Sequence, residues 1–187
     1  MNVNESFRKK EPRSSWIYDL AVAGTFLTCL PFRPSPSIKI SDLGPSVRMF
    51  PILGLIVGII GSLVLWIAAQ INLNSSVYGF AGLATITLIT GALHEDGLAD
   101  FADGITARNR SRRLEIMRDP RIGTFGVLVL IFSIGLKVGV LGNFAAPNLA
   151  MKALIVGAVI SRGMMPLIMY FMKPAQPDGL GHDAGCP

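Results

Sequence analysis

The chain has 187 residues, the length of about one domain, and 51% of them are hydrophobic whereas only 16% carry a charge. A soluble domain has roughly 25% charged residues, so this composition argues against an ordinary soluble enzyme. The net charge of +5 would suit nucleic acid, anionic lipid head groups or phosphorylated substrates. The positions of the charges therefore have to decide among these partners.

The first hydrophobic segment, 14–32, is free of charge only from Leu20 to Phe32. That stretch is shorter than the roughly 20 apolar residues that cross a bilayer core. The residues after Thr28 lack the cleavage pattern of a signal peptide, so we expect the segment to be retained. Because basic residues at both of its ends favour the cytoplasm, we predict a re-entrant or interfacial helix. A fully spanning helix with a translocated N-terminus is the alternative.

Four longer apolar segments follow. No charged residue lies between Arg48 and Glu95, a run long enough for two membrane helices and a turn. A second pair of apolar segments is interrupted only by Lys137 and Arg162. Two buried hairpins of a soluble protein are the alternative, but so short a chain cannot surround that many apolar helices. The sequence predicts an all-α, polytopic membrane bundle forming one domain, 1–187, with spans at 49–69, 77–93, 122–141 and 153–172.

Loop charges predict how this bundle is oriented. Segment 33–48 holds three basic residues and segment 107–121 holds six, whereas 70–76 and 142–150 hold none. By the positive-inside rule, the two basic segments and the tail after Lys173 face the cytoplasm. We therefore predict a multi-pass protein of the cytoplasmic (inner) membrane, with an active loop at 94–121 on the cytoplasmic side.

Four acids open this loop. If the segment is helical, Asp96, Asp100 and Asp103 lie within a narrow arc of one face, and Glu95 lies off that arc. A solvated acidic face is the alternative, but the residues between the acids are mostly apolar. Repulsion among stacked carboxylates is relieved when a cation lies between them. Oxygen ligands without cysteine favour Mg²⁺ or Mn²⁺ over zinc, so all four acids are candidate metal ligands and catalytic groups.

Arginines follow the acids along the chain. Arg118 and Arg121 flank Asp119 just before the next predicted span, whose N-terminal N–H groups also favour an anion. Magnesium ions bridge phosphate oxygens and arginine neutralises the remaining charge, so this combination is typical of a pyrophosphate site. We therefore predict that Arg118, Asp119 and Arg121 form a phosphate-binding segment. The other arginines of the loop are interpreted as topology signals.

Two stretches of the loop carry a family resemblance. Residues 91–104 read Gly-Ala-Leu-His-Glu-Asp-Gly-Leu-Ala-Asp-Phe-Ala-Asp-Gly, and 113–126 read Arg-Leu-Glu-Ile-Met-Arg-Asp-Pro-Arg-Ile-Gly-Thr-Phe-Gly. Together with 26–31, 50–55, Ser161-Arg162 and 178–181, they resemble the cobalamin synthase family, the adenosylcobinamide-GDP ribazoletransferases. The resemblance covers nearly the whole chain. Family members continue with further hydrophobic helices, so the C-terminal part of the family domain is expected to be missing here.

The resemblance implies an activity and its partners. Members join adenosylcobinamide-GDP to α-ribazole or α-ribazole 5′-phosphate in a Mg²⁺-dependent reaction that releases GMP. The implied partners are these two substrates and membrane lipid, with no nucleic acid, and the oligomeric state stays open. Glu95, Asp96, Asp100 and Asp103 would hold the metal on the pyrophosphate, and which of them takes the proton of the attacking hydroxyl is left open.

Two alternative functions were weighed. Residues 103–108 match the first half of the CDP-alcohol phosphatidyltransferase pattern, but the positions of its later glycine and acids hold Met117, Arg121 and Phe125. A cation transporter would need acids within its spans, and none occurs from 122 to 177. Arg162 does lie within a span, which suggests either a pair with an acid of the bundle or a contact with substrate.

Overall fold

The structure is a computed structural model that describes residues 15–32 and 42–172. Within these ranges all regular secondary structure is helical, which confirms the predicted all-α class. The predicted basic segment up to residue 41, Lys173 and the matching residues 178–181 lie outside the described residues. The helices are α1 (Trp16–Leu27), α2 (Leu43–Ser46), α3 (Phe50–Gln70), α4 (Ser75–Ile89), α5 (Leu93–Ile105), α6 (Arg110–Ile116), α7 (Thr124–Gly142) and α8 (Pro147–Phe171).

Among the residues that the structure describes, three helical segments are long and apolar enough to cross a membrane by themselves: Leu43–Gln70, which contains α3, and the helices α7 and α8. A fourth span is counted only if α4 and α5 are taken together, and those two helices are bent by 89° relative to each other. The predicted spans therefore correspond to α3, α4, α7 and α8. The predicted limit of 93 for the second span is too late, because α4 ends at Ile89.

A backbone break separates α4 from α5. Gly91 and Ala92 both have positive φ angles, 60° and 56°, a conformation that ends a right-handed helix. Gly91 is required there for a second reason, because a Cβ atom would lie 2.7 Å from the Cys29 sulfur. The backbone N–H of Cys29 also donates to the Ile89 carbonyl at 2.7 Å. The segment after α1 thus packs against the break and fixes where α5 begins.

The spans pack closely through small residues. A Cβ on Gly54 of α3 would lie 2.5 Å from the Ala158 carbonyl oxygen of α8. Gly61 of α3 and Gly82 of α4 face each other in the same manner, each within 3.0 Å of the other's carbonyl oxygen if a Cβ were added. Since lipid tails are as apolar as leucine, membrane helices associate by such close packing, and small residues allow it. These contacts hold α3, α4 and α8 as one unit.

The helix α1 packs beside α2 and α3. It has twelve residues, too few to cross a bilayer core. Its Asp19 is only 2% exposed and forms an ion pair with Arg48, with Nε to Oδ2 at 3.0 Å. The ion pair ties α1 to the turn before α3. The re-entrant or interfacial position of α1 stays a prediction.

Candidate active site

The predicted loop 94–121 consists of two helices that α4 and α7 bracket. α5 carries the four acids, and α6 begins where the Asn109 side chain accepts a hydrogen bond from the Arg112 N–H at 2.8 Å. Between α6 and α7, residues 117–122 line a common groove with Asp96, Ala99 and Asp100 of α5. This arrangement brings the predicted phosphate-binding segment beside the acids.

This polar groove of about 240 Å³ lies between α5 and residues 117–122. Asp96 and Asp100 line it on the side of α5, and Arg118, Asp119 and Arg121 line it on the other side. The helical spacing of four residues places the two carboxylates on the same face, as predicted. The structure therefore brings together five of the seven predicted site residues.

The pKa of Asp100 reflects this crowding. Partial burial raises its pKa above the ordinary value, and the negative charges of Asp96 and Asp103 raise it further. A cation in the groove would favour the ionised form of Asp100.

Asp119 and Arg121 form a closely bonded pair in the same groove. The Arg121 guanidinium donates from Nε to Asp119 Oδ1 at 2.9 Å and from Nη2 to Oδ2 at 2.7 Å. The Arg121 backbone N–H also donates to Oδ1, at 3.0 Å. These bonds lower the pKa of Asp119 to about 2. The pair orients Arg121 while leaving its remaining N–H groups able to bind an anion.

Asp103 has a different position from the other acids of its face. Its Oδ2 accepts a hydrogen bond from the Gly123 N–H at 2.7 Å and its Oδ1 accepts one from the Gly126 N–H at 2.9 Å. The carboxylate therefore caps the N-terminus of α7, where it interacts favourably with the helix dipole. The sequence predicts that an anion is favoured at this helix end, and in the structure the Asp103 carboxylate occupies that position.

Glu95 lies on another face of α5, as its sequence position suggested. It lines a separate chamber among the spans together with His94, Lys137 and Arg162. Its Oε1 accepts from the Thr87 hydroxyl at 3.4 Å, a long hydrogen bond. The structure therefore does not bring Glu95 into the groove with Asp96 and Asp100.

The groove contains oxygen ligands of the kind that a divalent cation requires. Within 15–32 and 42–172, no three histidine, cysteine, aspartate or glutamate side chains converge closely enough to surround a metal ion. Mg²⁺, however, commonly uses only one or two carboxylates and completes its shell with water and substrate phosphates. Asp96 and Asp100 supply two oxygen ligands of this kind, and the crowding at Asp100 favours a cation. The donor set therefore fits Mg²⁺ bound jointly with a phosphorylated substrate.

Two glycines of the site were not predicted from the sequence. A Cβ atom on Gly123 would lie 2.4 Å from Asp103 Oδ1, and one on Gly126 would lie 2.5 Å from Oδ2. Only glycine lets the carboxylate reach both N–H groups. A pair of glycines three residues apart at the start of an apolar helix was the available signal. The sequence alone did not show which acid it serves.

Comparison with known proteins gives a consistent result. Residues 19–185 match the cobalamin-5-phosphate synthase family. The chain is 44% identical over 172 residues to an adenosylcobinamide-GDP ribazoletransferase of Bradyrhizobium diazoefficiens, covering 91% of this chain and 66% of that protein. It is 37% identical over 178 residues to the protein of the same name from Allorhizobium ampelinum, covering 93% and 69%. No solved structure matches.

The match extends through all the elements that build the groove. It includes α5, α6 and the start of α7, since residues 19–185 contain the whole of 93–126. The chain spans about two thirds of the length of the relatives it matches. Because the family match covers well over half of the chain, this chain belongs to the cobalamin-5-phosphate synthase family.

Proposed function

We propose that the protein transfers a phosphoryl-linked cobinamide to a ribazole, as an adenosylcobinamide-GDP ribazoletransferase of cobalamin synthesis. The observation that carries the proposal is the groove in which Asp96 and Asp100 face Arg118 and Arg121. Carboxylates for a metal opposite arginines for phosphate are what a pyrophosphate substrate requires. The names of the curated relatives give the same reaction.

The reaction is a displacement at phosphorus. The 3′-hydroxyl of α-ribazole, or of its 5′-phosphate, attacks the phosphorus attached to cobinamide in adenosylcobinamide-GDP. A P–O bond forms to the ribose, the P–O bond of the pyrophosphate breaks, and GMP leaves with the bridging oxygen. The hydroxyl proton passes to a base, and the product is adenosylcobalamin or its 5′-phosphate.

The residues of the groove have different roles in this reaction. Asp96 and Asp100 would hold Mg²⁺, which supplies stabilisation of the charge that develops on the leaving phosphate. Arg118 and Arg121 bind phosphate oxygens, and Asp119 keeps the Arg121 guanidinium in place. Asp103 fixes α7 against α5 and so maintains the width of the groove. Metal-binding roles for Glu95 and Asp103 stay predictions, as does the use of Mn²⁺.

A membrane location accompanies this proposal. Several apolar helices indicate a multi-pass membrane protein, and their outward faces are exposed. The six arginines of 107–121 favour the cytoplasmic side for the groove. We accordingly place the protein in the cytoplasmic membrane, in contact with lipid and with its substrates arriving from the cytoplasm.

Release of GMP tests the proposed reaction directly. The purified protein in detergent is incubated with adenosylcobinamide-GDP, α-ribazole 5′-phosphate and Mg²⁺, and the products are separated by chromatography. We expect GMP and a cobalamin product in equal amounts. A form extended to the length of the relatives is assayed in parallel. If neither form releases GMP, the proposed function is wrong.

A further inference from the structure

A chamber of about 430 Å³ lies among α4, α7 and α8, separate from the groove. Its size is within the range of small-molecule binding sites. One end is polar and is closed by the start of α5, where His94 and Glu95 lie. Its remaining walls are mainly apolar, and include Leu83, Leu136, Val140 and Leu154. A ligand that suits the chamber has an apolar body and a polar end.

The polar end contains two cations and one carboxylate. Lys137 of α7 and Arg162 of α8 line it together with Glu95, and the charges of all three interact with His94. Arg162 is only 8% exposed, although a charge within a membrane span is costly and normally serves a function. Its Nη1 donates to the Ser161 hydroxyl at 2.8 Å, and its charge interacts with that of Glu95 without a direct ion pair among the described residues. The chamber therefore has an excess of one positive charge.

Several buried polar atoms in this chamber have no partner. Among the residues the structure describes, both ring nitrogens of His94 and Oε2 of Glu95 are buried without a hydrogen bond. A buried polar group left without a hydrogen bond destabilises the fold. Folding alone gives no reason to place three such atoms beside two cations. Together they can bind the hydroxyl groups of a ligand whose anionic group lies near Lys137 and Arg162.

We propose that this chamber binds the acceptor nucleoside in its phosphorylated form, with the base against the apolar walls and the phosphate at Lys137 and Arg162. The inference rests on the proposed function, because that function supplies an acceptor with a base, a ribose and a phosphate. A phosphate monoester carries a charge of about −1.5 to −2 near neutral pH, which the cations of the chamber offset. Arginine suits phosphate better than lysine does, since its planar fork donates two parallel hydrogen bonds.

The chamber is placed suitably for the reaction. Glu95, which closes it, and Asp96, which lines the groove, are consecutive residues of α5. Successive residues of an α-helix point about 100° apart, so the two sites lie on adjacent faces of a single helix. A ribose bound at His94 and Glu95 is therefore near the end of the groove that holds the pyrophosphate. The acceptor would therefore occupy the face of α5 that carries Glu95, and the donor the face that carries Asp96.

Equilibrium binding without the donor tests the inference. Calorimetric titration of the detergent-purified protein, in EDTA, compares α-ribazole 5′-phosphate with unphosphorylated α-ribazole. We expect the phosphorylated form to bind at least tenfold more tightly. Arg162→Gln and Lys137→Gln are each expected to weaken its binding about tenfold and to leave the binding of α-ribazole nearly unchanged. Lys152→Gln, which removes an exposed lysine of α8, is the matched control.

A second variant covers the case in which removing a charge impairs folding. Gly157 lines the chamber, and a Cβ placed on it meets no other atom within 4 Å. Gly157→Phe should fill the chamber and abolish nucleoside binding while leaving thermal unfolding unchanged. Gly139 has equally open surroundings but lines an outer groove of α7, so Gly139→Phe should bind normally. Unchanged binding in Gly157→Phe would overturn the inference.

Anionic lipid shares the ligand chemistry, so a third arm distinguishes it from the nucleoside. Short-chain phosphatidic acid is titrated against the same variants. If Arg162→Gln and Gly157→Phe weaken lipid binding but not nucleoside binding, the inference is wrong. These experiments also distinguish an error in the proposed chamber site from an error in the proposed reaction. If the wild-type protein releases GMP but the chamber variants bind the nucleoside normally, the proposed chamber site is wrong and the proposed reaction stands. If the chamber variants lose nucleoside binding but the wild-type protein releases no GMP, the proposed reaction is wrong and the chamber site stands.

Discussion

The Asp103 carboxylate accepts a hydrogen bond from the Gly123 backbone N–H, across twenty residues of sequence. A second hydrogen bond, from Gly126, makes the carboxylate a cap for α7. α6 and the phosphate-binding segment lie between these two ends of the contact. The cap therefore closes a loop, and it positions Arg118 and Arg121 against α5.

Gly123→Ala should destabilise the protein by breaking this cap. The new methyl group would lie 2.4 Å from Asp103 Oδ1, so the carboxylate or the start of α7 must move. We expect a loss of about 1–3 kcal/mol, the cost of leaving buried polar groups unsatisfied. Thermal unfolding in detergent measures it. Gly135→Ala, where the added methyl meets no atom within 4 Å, should unfold at the wild-type temperature or above, and equal melting of both variants would contradict the role of the cap.

Asp100→Asn should abolish turnover and leave membrane insertion intact. The substitution keeps the shape of the side chain and removes the charge that a Mg²⁺ ligand requires. We expect kcat to fall about 100-fold or more, as when an electrostatic stabiliser of a transition state is removed. GMP release measures the change. Glu115→Gln, at an exposed acid of α6 paired with Arg112, should keep wild-type activity. An active Asp100→Asn variant would refute the metal site.

Chelation provides an independent check of the same site. EDTA should stop GMP release by the wild-type protein, and Mg²⁺ should restore it, because Asp96 and Asp100 supply two ligands and the ion binds jointly with substrate phosphate. For the same reason, the ion alone should raise the unfolding temperature less than the ion together with adenosylcobinamide-GDP. Turnover that continues in EDTA would show that the reaction needs no divalent ion.

Asp119→Asn should raise the KM for adenosylcobinamide-GDP more than it lowers kcat. The variant loses the charged contact through which both Asp119 oxygens orient Arg121, but Arg121 itself is not substituted. In the wild-type protein the pKa of Asp119 is about 2. A depressed pKa means that the pair persists at higher pH and is lost only as the pH falls toward that value. The KM should therefore be independent of pH between about 5 and 8 as far as this pair is concerned.

Gly54→Ala should loosen the bundle, because α3 lies very close to α8 at this residue. A Cβ there would lie 2.5 Å from the Ala158 carbonyl oxygen, and both backbones would have to separate. Overpacking of this kind costs about 1–3 kcal/mol. The unfolding temperature in detergent should fall accordingly. Gly139→Ala is the control on a helix face with open space, and a similar fall there would argue against close packing as the cause.

Local patterns predicted much of this structure, and contacts between distant residues account for what they missed. The charge-free run after Arg48 identified two helices, since so long an apolar segment has few alternatives. The end of α4 was placed too late, because Thr90, Gly91 and Ala92 continue the apolar pattern and only the fold gives them a break. The helical spacing grouped Asp96 with Asp100 correctly. It could not show that Asp103 is engaged by two glycines of α7.

The charged residues of the chamber were also not predicted to lie together. Lys137 was seen only as an interruption of a span, and Arg162 was noticed without a partner. Their convergence on His94 and Glu95 depends on how α7 and α8 pack against the start of α5, which no local pattern contains.

The break at Gly91 and Ala92 sets the rotation of α5 about its own axis. Because each residue adds about 100°, deleting one residue between the break and Glu95 would turn every polar side chain of the helix by more than a quarter turn. Such a rotation would move Asp96 out of the groove and Glu95 out of the chamber at the same time. The orientation of side chains at one site therefore cannot change without changing it at the other. If the proposed function holds, the few residues before Asp96 would fix the alignment of donor and acceptor without themselves lining the groove.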